Sequence, residues 1–313
     1  MRIVLHGQQA FGKAVLERLL DSEDEVVAVF CPPDTEGRPA DPVKALALER
    51  GLDLHQLKSW KTDEAAETLA ACRSDLCVMA YVTQLVPQRC LDLPALGTIQ
   101  YHPSLLPRHR GPSAINWSII AGEAKTGLTI FWPDEGLDTG PVLLQKAVEI
   151  GANDTVGSIY FGHLFPLGVE AMAEAIDLVR TGTAPRIAQD ESQATYESWC
   201  KAKHAEVDWT KPAETVHNLI RGTDPQPGAW TTVDGKRLNL FSSRRADDAA
   251  GTPGEILAVS EAGITVAAGT GAITIGRVRA EGERDKVAAA EYAAAAGLEP
   301  GSRLGALVPG SIG

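Results

Sequence analysis

The sequence has 313 residues, of which 44% are hydrophobic and 22% are charged, a composition that excludes disordered and fibrous proteins. No stretch approaches the roughly 18 uncharged apolar residues of a membrane span, and the start of the sequence lacks the pattern of a signal peptide. The net charge is −12, and most of the negative excess lies in residues 1–200, which argues against a nucleic-acid partner.

Strand and helix signals alternate through the first half of the sequence. In chain order, the apolar spacing predicts a strand at 3–5, a helix at 11–20, a strand at 26–30, a helix at 41–51, and strands at 76–80, 98–101 and 128–132. This alternation is typical of a doubly wound, mostly parallel α/β sheet.

The pattern of predicted elements changes from about residue 205. A helix at 211–221 precedes short strands at 230–233, 237–241, 255–259, 263–267 and 272–275, and an alanine-rich helix follows at 287–296. Short strands joined by tight turns predict a small, OB-like β-barrel. The polar run at 189–193 places the domain boundary near 190–205, so we expect domains at 1–195 and 205–313.

The cysteines indicate no metal site and no disulfide framework. Their number is odd and none forms a CxxC pair; they are Cys31, Cys72, Cys77, Cys90 and Cys200. We therefore expect reduced, mostly buried thiols in a cytoplasmic protein.

The first strand-to-helix loop, residues 7–12, begins and ends with glycine but is not a dinucleotide fingerprint. It lacks the G-x-G-x-x-G pattern and the Lys-Ser/Thr pair of a phosphate-binding loop. We interpret it as a tight turn.

The candidate catalytic residues are concentrated between residues 98 and 140. His102 stands at the end of a predicted strand, and Asp138 stands in a glycine-flanked loop after another. Ligands of open α/β sheets bind beyond the carboxyl ends of strands, so both side chains are expected to face one crevice as an acid–base pair. The alternative is a structural histidine and an aspartate that bonds its own turn.

The runs YHPSLLPRHRG at 101–111 and GLDTG at 136–140 strongly resemble the formyltransferase family that uses 10-formyltetrahydrofolate. The likeness extends over nearly the whole chain, with IRG at 220–222 and PGAW at 227–230 as landmarks of the family's second domain. It is closest to the N-terminal hydrolase domain of 10-formyltetrahydrofolate dehydrogenase, and the chain is also similar to methionyl-tRNA formyltransferase.

The resemblance implies roles for particular residues. His102 and Asp138 match the family's catalytic pair, and Ser104 and Arg110 belong to the loop that shapes the acceptor side. Two further loops match the two walls of the family's pterin site. The residues of the first wall are Met79, Tyr81, Gln84, Leu85 and Val86, and those of the opposite wall are Asp134 and Gly136.

Gln100 departs from the family pattern. The family's transferases usually have asparagine two residues before the histidine, whereas this sequence has glutamine. Residues i and i+2 of a strand share a face, so Gln100 is expected to point into the crevice with His102. Its amide then either donates to the formyl oxyanion or extends past it to the loop or the acceptor.

The resemblance implies an enzyme that transfers the formyl group of 10-formyltetrahydrofolate to a small-molecule amine or to water, without a metal. The stretch at 31–41 has one basic residue, Arg38, where tRNA-specific members have a longer basic insertion. A tRNA acceptor is therefore not expected. The alternatives are a methionyl-tRNA formyltransferase and a catalytically weak folate-binding or regulatory protein; the oligomeric state stays open.

Overall fold

A computed structural model describes residues 1–246 and 248–305. The chain divides into two compact units, each made of several segments. Unit 1 comprises Met1–Gly111, Gly127–Val148 and Phe161–Tyr196, and unit 2 comprises Pro112–Thr126, Glu149–Tyr160 and the chain from Glu197 onward. Residues 112–126 and 149–160, which lie inside the predicted first domain, thus belong to unit 2.

The first 200 residues alternate strands and helices in the predicted way. The elements are β1 (Arg2–Gly7), α1 (Gln9–Leu20), β2 (Glu25–Phe30), α2 (Pro42–Glu49), β3 (Leu54–His55), α3 (Asp63–Ala71), β4 (Leu76–Ala80), α4 (Gln88–Leu91), β5 (Thr98–His102), α5 (Ala114–Ile120), β6 (Lys125–Phe131), β7 (Val142–Glu149), α6 (Val156–Ile159) and α7 (Phe165–Arg180).

The sheet of unit 1 has the strand order β3-β2-β1-β4-β5-β6-β7. The pairs from β3 to β5 are parallel, and β6 runs antiparallel to β5. Every residue of β4 is buried, which fits a central strand covered on both faces. The order reverses direction between β1 and β4, and at such a switch point the carboxyl ends of the strands leave a crevice.

The turn between β1 and α1 is closed by the protein itself. The backbone N–H of Gln9, at the start of α1, donates to both carboxylate oxygens of Asp41 at 3.1 and 3.0 Å. Asp41 also caps α2 by accepting from the N–H of Val43 at 2.9 Å. A Cβ on Gly12 would lie 2.9 Å from Val43 Cγ2 and 3.1 Å from the carbonyl carbon of Gly7. The glycines therefore serve close packing, as the interpretation of a tight turn requires.

Unit 2 is built around an antiparallel sheet. Its remaining elements are α8 (Ala213–Gly222), β8 (Ala229–Val233), β9 (Lys236–Ala246), β10 (Ile256–Ser260), β11 (Gly263–Ala267), β12 (Ala272–Ala280), β13 (Val287–Ala288) and α9 (Ala289–Ala296). The strand order is β10-β11-β12-β9-β8, and β13 pairs with β12. The predicted fold class, a mostly parallel α/β sheet followed by an all-β domain, is confirmed.

Some predicted bounds were wrong for local reasons. The last predicted helix was placed at 287–296, but Val287 and Ala288 pair with Val278 and Arg277, so that α9 begins at Ala289. The helix predicted at 211–221 begins after Pro212, which occupies its N-cap.

Within the described part of the chain, no helix has both the length and the apolar character needed to cross a membrane. All of the cysteines are free, and Cys31, Cys77 and Cys90 are buried. Burial raises the pKa of Cys77 to about 12 and that of Cys31 to about 11. Among the described residues, no group of three or more His, Cys, Asp or Glu side chains is placed to hold a metal ion.

His6 is a buried histidine inside unit 1. It is 3% exposed and its ring lies 4.6 Å from the ring of Trp60, centre to centre. Burial lowers the pKa of His6 to about 3, against a smaller opposing effect of a hydrogen bond with Gln84. Gln84 in turn accepts from the indole N–H of Trp60 at 3.2 Å. The imidazole is therefore neutral in the folded protein between about pH 3 and pH 6.5, where the unfolded chain would protonate it.

The first prediction follows from this neutral core histidine. Below pH 6.5 the unfolded chain binds a proton at His6 that the folded chain does not bind until the pH approaches about 3. The free energy of unfolding should therefore fall, as pH is lowered through that window, by about 1.4 kcal/mol per pH unit from this residue.

Urea unfolding at several pH values checks this. The His6→Gln variant should show a slope against pH that is shallower than the wild-type slope by that amount, because all other groups contribute alike to both proteins. Equal slopes for the two proteins would contradict the assignment, whatever the absolute stability of the variant.

Candidate active site

His102 is the last residue of β5 and is oriented by the loop that follows. It is 6% exposed, and its Nε2 lies 2.8 Å from the backbone carbonyl oxygen of His109. Because a carbonyl oxygen can only accept, Nε2 carries the hydrogen of that bond. Nδ1 is then the ring atom that can gain or lose a proton.

Asp138 faces that nitrogen from the loop after β6. Its Oδ2 lies 3.6 Å from Nδ1 of His102, and the residue is 7% exposed. The same oxygen accepts a 2.8 Å hydrogen bond from the backbone N–H of Gly111. The φ angle of Asp138 is 56°, a left-handed conformation that aspartate adopts more readily than most residues. The structure thus brings together the two residues that the sequence assigned to one crevice.

The geometry of this pair fits acid–base chemistry. At 3.6 Å the two side chains are too far apart to share a normal hydrogen bond. The carboxylate is nevertheless close enough to stabilise a positive charge on the ring when Nδ1 accepts a proton. Both groups are shielded from water, so their mutual attraction is screened less than at the surface.

Gln100 precedes His102 by two residues on β5, so the two side chains leave the same face of the sheet. Its partners across the sheet are Met79 on β4 and Phe131 on β6, and it is half-buried. Among the described residues, its amide has no hydrogen-bond partner. The amide is therefore available to a ligand that enters beside the imidazole.

The loop after β5 is closed by buried polar contacts. Ser104 is 1% exposed and donates from Oγ to the carbonyl of Arg108 at 2.7 Å. Thr129, on β6, donates to the carbonyl of Ser104 at 2.7 Å and accepts from the N–H of Leu106 at 3.1 Å. The hydroxyl of Ser104, a residue assigned to the acceptor side by resemblance, therefore stabilises the conformation of its own loop.

Arg110 lies in the same loop and has no exposed surface. All five of its guanidinium N–H groups donate: two to Gln189 Oε1 at 3.1 and 2.7 Å, two to Glu191 at 2.9 and 2.6 Å, and one to the hydroxyl of Tyr196. The hydrogen bonds with Glu191 are the first cause of a raised pKa for Arg110, and the same bonds lower the pKa of Glu191. Arg110 thus presents no free N–H group to an acceptor.

Gln189 connects Arg110 to the loop of Asp138. Its Oε1 accepts from the guanidinium, and its Nε2 donates to the backbone carbonyls of Asp138 and Gly140 at 2.9 and 2.7 Å. The amide is saturated on both sides. A flipped amide would place its N–H groups against the cation and its oxygen against two carbonyls, so only one orientation is allowed.

The polar segment around residues 189–196 therefore has a structural role that its composition concealed. Besides the contacts of Gln189, Thr195 accepts from the N–H groups of His109 and Arg110 at 2.8 and 3.0 Å. Spacing alone gave no sign of Gln189 and Thr195. Glu191 was missed as well, because nothing in the sequence around Arg110 shows that its guanidinium is buried and needs a carboxylate.

The predicted pterin wall after β4 divides into two groups. Met79 and Val86 are 3% and 8% exposed and pack in the core of unit 1. Gln84 directs its amide to Trp60 and to the backbone, so it anchors the loop from inside. Tyr81 and Leu85 are 39% and 59% exposed. Only these two offer open side-chain surface to a ligand.

The opposite predicted wall is a self-bonded turn. Oδ1 of Asp134 accepts from the N–H of Gly136 at 3.0 Å and from the hydroxyl of Thr139 at 2.5 Å. A Cβ on Gly136 would lie 2.0 Å from the Thr139 hydroxyl, and one on Gly140 would lie 1.8 Å from the carbonyl oxygen of Trp132. The glycines let the turn fold tightly enough to return Asp138 towards His102.

Comparisons with known proteins show the family of the chain. The family model "Formyl transferase" matches residues 1–176, and "Formyl transferase, C-terminal domain" matches residues 200–296. The chain is 42% identical over 267 residues to the human mitochondrial 10-formyltetrahydrofolate dehydrogenase, which covers 84% of this chain and 29% of that protein. The chain thus spans less than a third of the length of this relative.

A second relative is matched over almost its whole length. The methionyl-tRNA formyltransferase of Trichlorobacter lovleyi is 40% identical over 308 residues, covering 97% of this chain and 96% of that protein. The prediction against a tRNA acceptor gains no support from this likeness.

Among solved structures, HypX from Aquifex aeolicus in complex with tetrahydrofolic acid has a TM-score of 0.66 at 24% identity, covering 95% of this chain and 47% of that one, which shows a shared fold.

The family resemblance that the motifs at 101–111 and 136–140 indicated is thereby confirmed. The chain belongs to the formyltransferase family.

Proposed function

We propose that the protein transfers the formyl group of 10-formyltetrahydrofolate to a small-molecule amine or to water. The observation that carries this proposal is the buried contact between His102 and Asp138, with Nδ1 and Oδ2 3.6 Å apart. Formyl transfer is acyl transfer, which needs a proton acceptor for the nucleophile and a proton donor for the departing nitrogen. One imidazole can do both in sequence.

In this mechanism the nucleophile attacks the formyl carbon and loses a proton to Nδ1 of His102. The charge of Asp138 stabilises the resulting imidazolium, and the hydrogen bond from Nε2 to His109 keeps the ring in place. Collapse of the tetrahedral intermediate breaks the bond from the formyl carbon to N10, which takes the proton from Nδ1. Water as nucleophile gives formate and tetrahydrofolate, and an amine gives an N-formyl product.

We assign the oxyanion donor to Gln100. Its amide lies on the same face of β5 as His102 and has no partner among the described residues. A tetrahedral oxyanion needs such a preorganised donor. The longer side chain, compared with the asparagine of related transferases, moves the amide outward by one methylene.

For the folate, we assign the exposed side chains of Tyr81 and Leu85 to one wall of the pterin site and the backbone of residues 134–138 to the other. The buried Met79 and Val86 and the half-buried Gln84 support the first wall from beneath.

The choice of a small acceptor is supported by charge. Residues 31–41 form an irregular segment with one basic residue, and within unit 2 two of the five arginines on β9 and β12 already have polar partners. Arg245 lies 3.7 Å from Glu214, and Arg277 donates to the carbonyl of Lys286 at 2.5 Å. Few cations remain to follow a phosphate backbone.

The purified protein incubated with 10-formyltetrahydrofolate tests the function. Formate and tetrahydrofolate should appear with the donor alone or on addition of a small amine. If the protein formylates methionyl-tRNA but neither small amines nor water, the proposed small acceptor is wrong. If 10-formyltetrahydrofolate is not consumed under any condition, the protein binds folate without catalysing its reaction.

The second prediction concerns the acid–base pair. His102→Ala and Asp138→Asn should each lower kcat by about 10²–10⁴-fold, because the first removes the group that transfers the proton and the second removes the charge that stabilises the imidazolium. Far-ultraviolet circular dichroism should stay that of the wild type. His163→Ala, at an exposed position of unit 1, is the matched control and should keep full activity. Turnover within a few-fold of the wild type in either variant of the pair removes it from the mechanism.

The third prediction concerns Gln100. Gln100→Glu keeps the size of the side chain but replaces the N–H donor by a carboxylate, and Gln100→Ala removes the group. Each should lower kcat by about 10²–10³-fold, as expected for loss of one oxyanion donor. Steady-state assays with water and with amine acceptors measure this; unchanged rates in both variants would make Gln100 a bystander.

A further inference from the structure

A polar network around the buried guanidinium of Arg110 contacts the loop of Asp138 without including either reacting group. It consists of Arg110, Gln189, Glu191 and Tyr196, and its members have no role in the mechanism above. Gln189 is the member that contacts the loop of Asp138, through the carbonyl oxygens of Asp138 and Gly140.

We propose that Gln189 is a positioning residue, which holds Asp138 so that its carboxylate faces His102. This proposal rests on the proposed function for its effect on the rate. The residue never touches the formyl group, and it acts through the backbone of the Asp138 loop.

The backbone of Asp138 has an uncommon conformation. Its φ of 56° lies in the left-handed region, which is costly for a residue with a side chain unless the surroundings hold it there. Gln189 supplies that restraint by binding the carbonyls on both sides of Thr139, at 2.9 and 2.7 Å. The first of these bonds holds the peptide plane that follows Asp138, and the second holds the loop two residues further on, so the turn at Asp138 cannot relax freely.

The second step is the orientation of the Gln189 amide. Its oxygen accepts two hydrogen bonds from Arg110, which has no exposed surface and no other place for those N–H groups. Glu191 holds the opposite edge of the same guanidinium at 2.9 and 2.6 Å. The amide nitrogen must therefore face the two carbonyls.

The third step is a second connection from the same arginine. The residue after Arg110 is Gly111, whose N–H donates to Oδ2 of Asp138 at 2.8 Å. Arg110 thus fixes the backbone of Asp138 through Gln189 and the carboxylate through its own neighbour. Loss of Gln189 leaves the second connection intact, so the expected effect is displacement of Asp138 rather than loss of the loop.

The test compares Gln189→Ala and Gln189→Glu with Gln193→Ala. Gln189→Glu still accepts from Arg110 but lacks the two N–H donors, so it separates loss of positioning from loss of the buried contact. Gln193 lies in the same segment, is exposed and binds only Asp190 in the described structure, at 3.1 Å. Both Gln189 variants should lower kcat by roughly 10²-fold with little change in the KM for 10-formyltetrahydrofolate, as a misplacement of about 1 Å can do. Gln193→Ala should match the wild type.

A double-mutant cycle distinguishes positioning from a general structural effect. In an Asp138→Asn background, Gln189→Ala should cause little further loss of kcat, because the group that it positions is already gone. Equal fold losses in both backgrounds would overturn the proposal.

A readout without substrate separates this proposal from the proposed function. The ring ¹⁵N resonances of His102 should move in Gln189→Ala towards their positions in Asp138→Asn. If this shift is seen but the wild-type protein is inactive, the positioning role of Gln189 is kept and the proposed formyl transfer is rejected. If the resonances do not move in a folded Gln189→Ala variant, the positioning role itself is rejected.

Discussion

The placement of the reacting groups depends on one buried cation. The guanidinium of Arg110 has no exposed surface and can remain buried only because all five of its N–H groups have acceptors. Those acceptors belong to the segment that follows α7, so burying the charge draws that segment against the loop after β5. One electrostatic requirement thus organises two stretches of chain around Asp138.

The sheet supplies the other half of the site. β5 ends at His102 beside the switch point of the strand order, where the parallel strands leave a crevice at their carboxyl ends. β6 runs the other way, so Asp138 does not come from a parallel neighbour as the sequence suggested. A tight turn with close-packed Gly136 and Gly140 brings it back instead.

The fold class and the acid–base pair could be predicted because both leave local marks in the sequence. The buried run of β4 and the helical spacing of α1 are one-dimensional patterns, and His102 and Asp138 stand in motifs beside strand ends. Several elements of the first half were not predicted, namely β3, β7 and the helices α3 to α7. Most of them are short or, like β7, buried only at their first residues, but the buried residues of α7 do recur at helical spacing and that signal was missed.

Contacts between distant segments could not be predicted. Gln189 lies 51 residues from Asp138 along the chain, in a run whose polarity indicated a linker. The buried state of Arg110 depends on that same run, so nothing in the motif at 101–111 marks its guanidinium as inaccessible. For a similar reason the sequence did not show that the side chains of Ser104, Gln84 and Asp134 bind their own loop or the support of that loop.

The central claim is that Nε2 of His102 is a fixed donor and Nδ1 the proton-transferring atom. Ring ¹⁵N spectra of the histidine-labelled protein at alkaline pH, with the His102 signals assigned from their loss in His102→Ala, test it directly. The account predicts the tautomer with hydrogen on Nε2, as the 2.8 Å contact with the His109 carbonyl requires. A ring with its hydrogen on Nδ1, directed at Asp138, would contradict it.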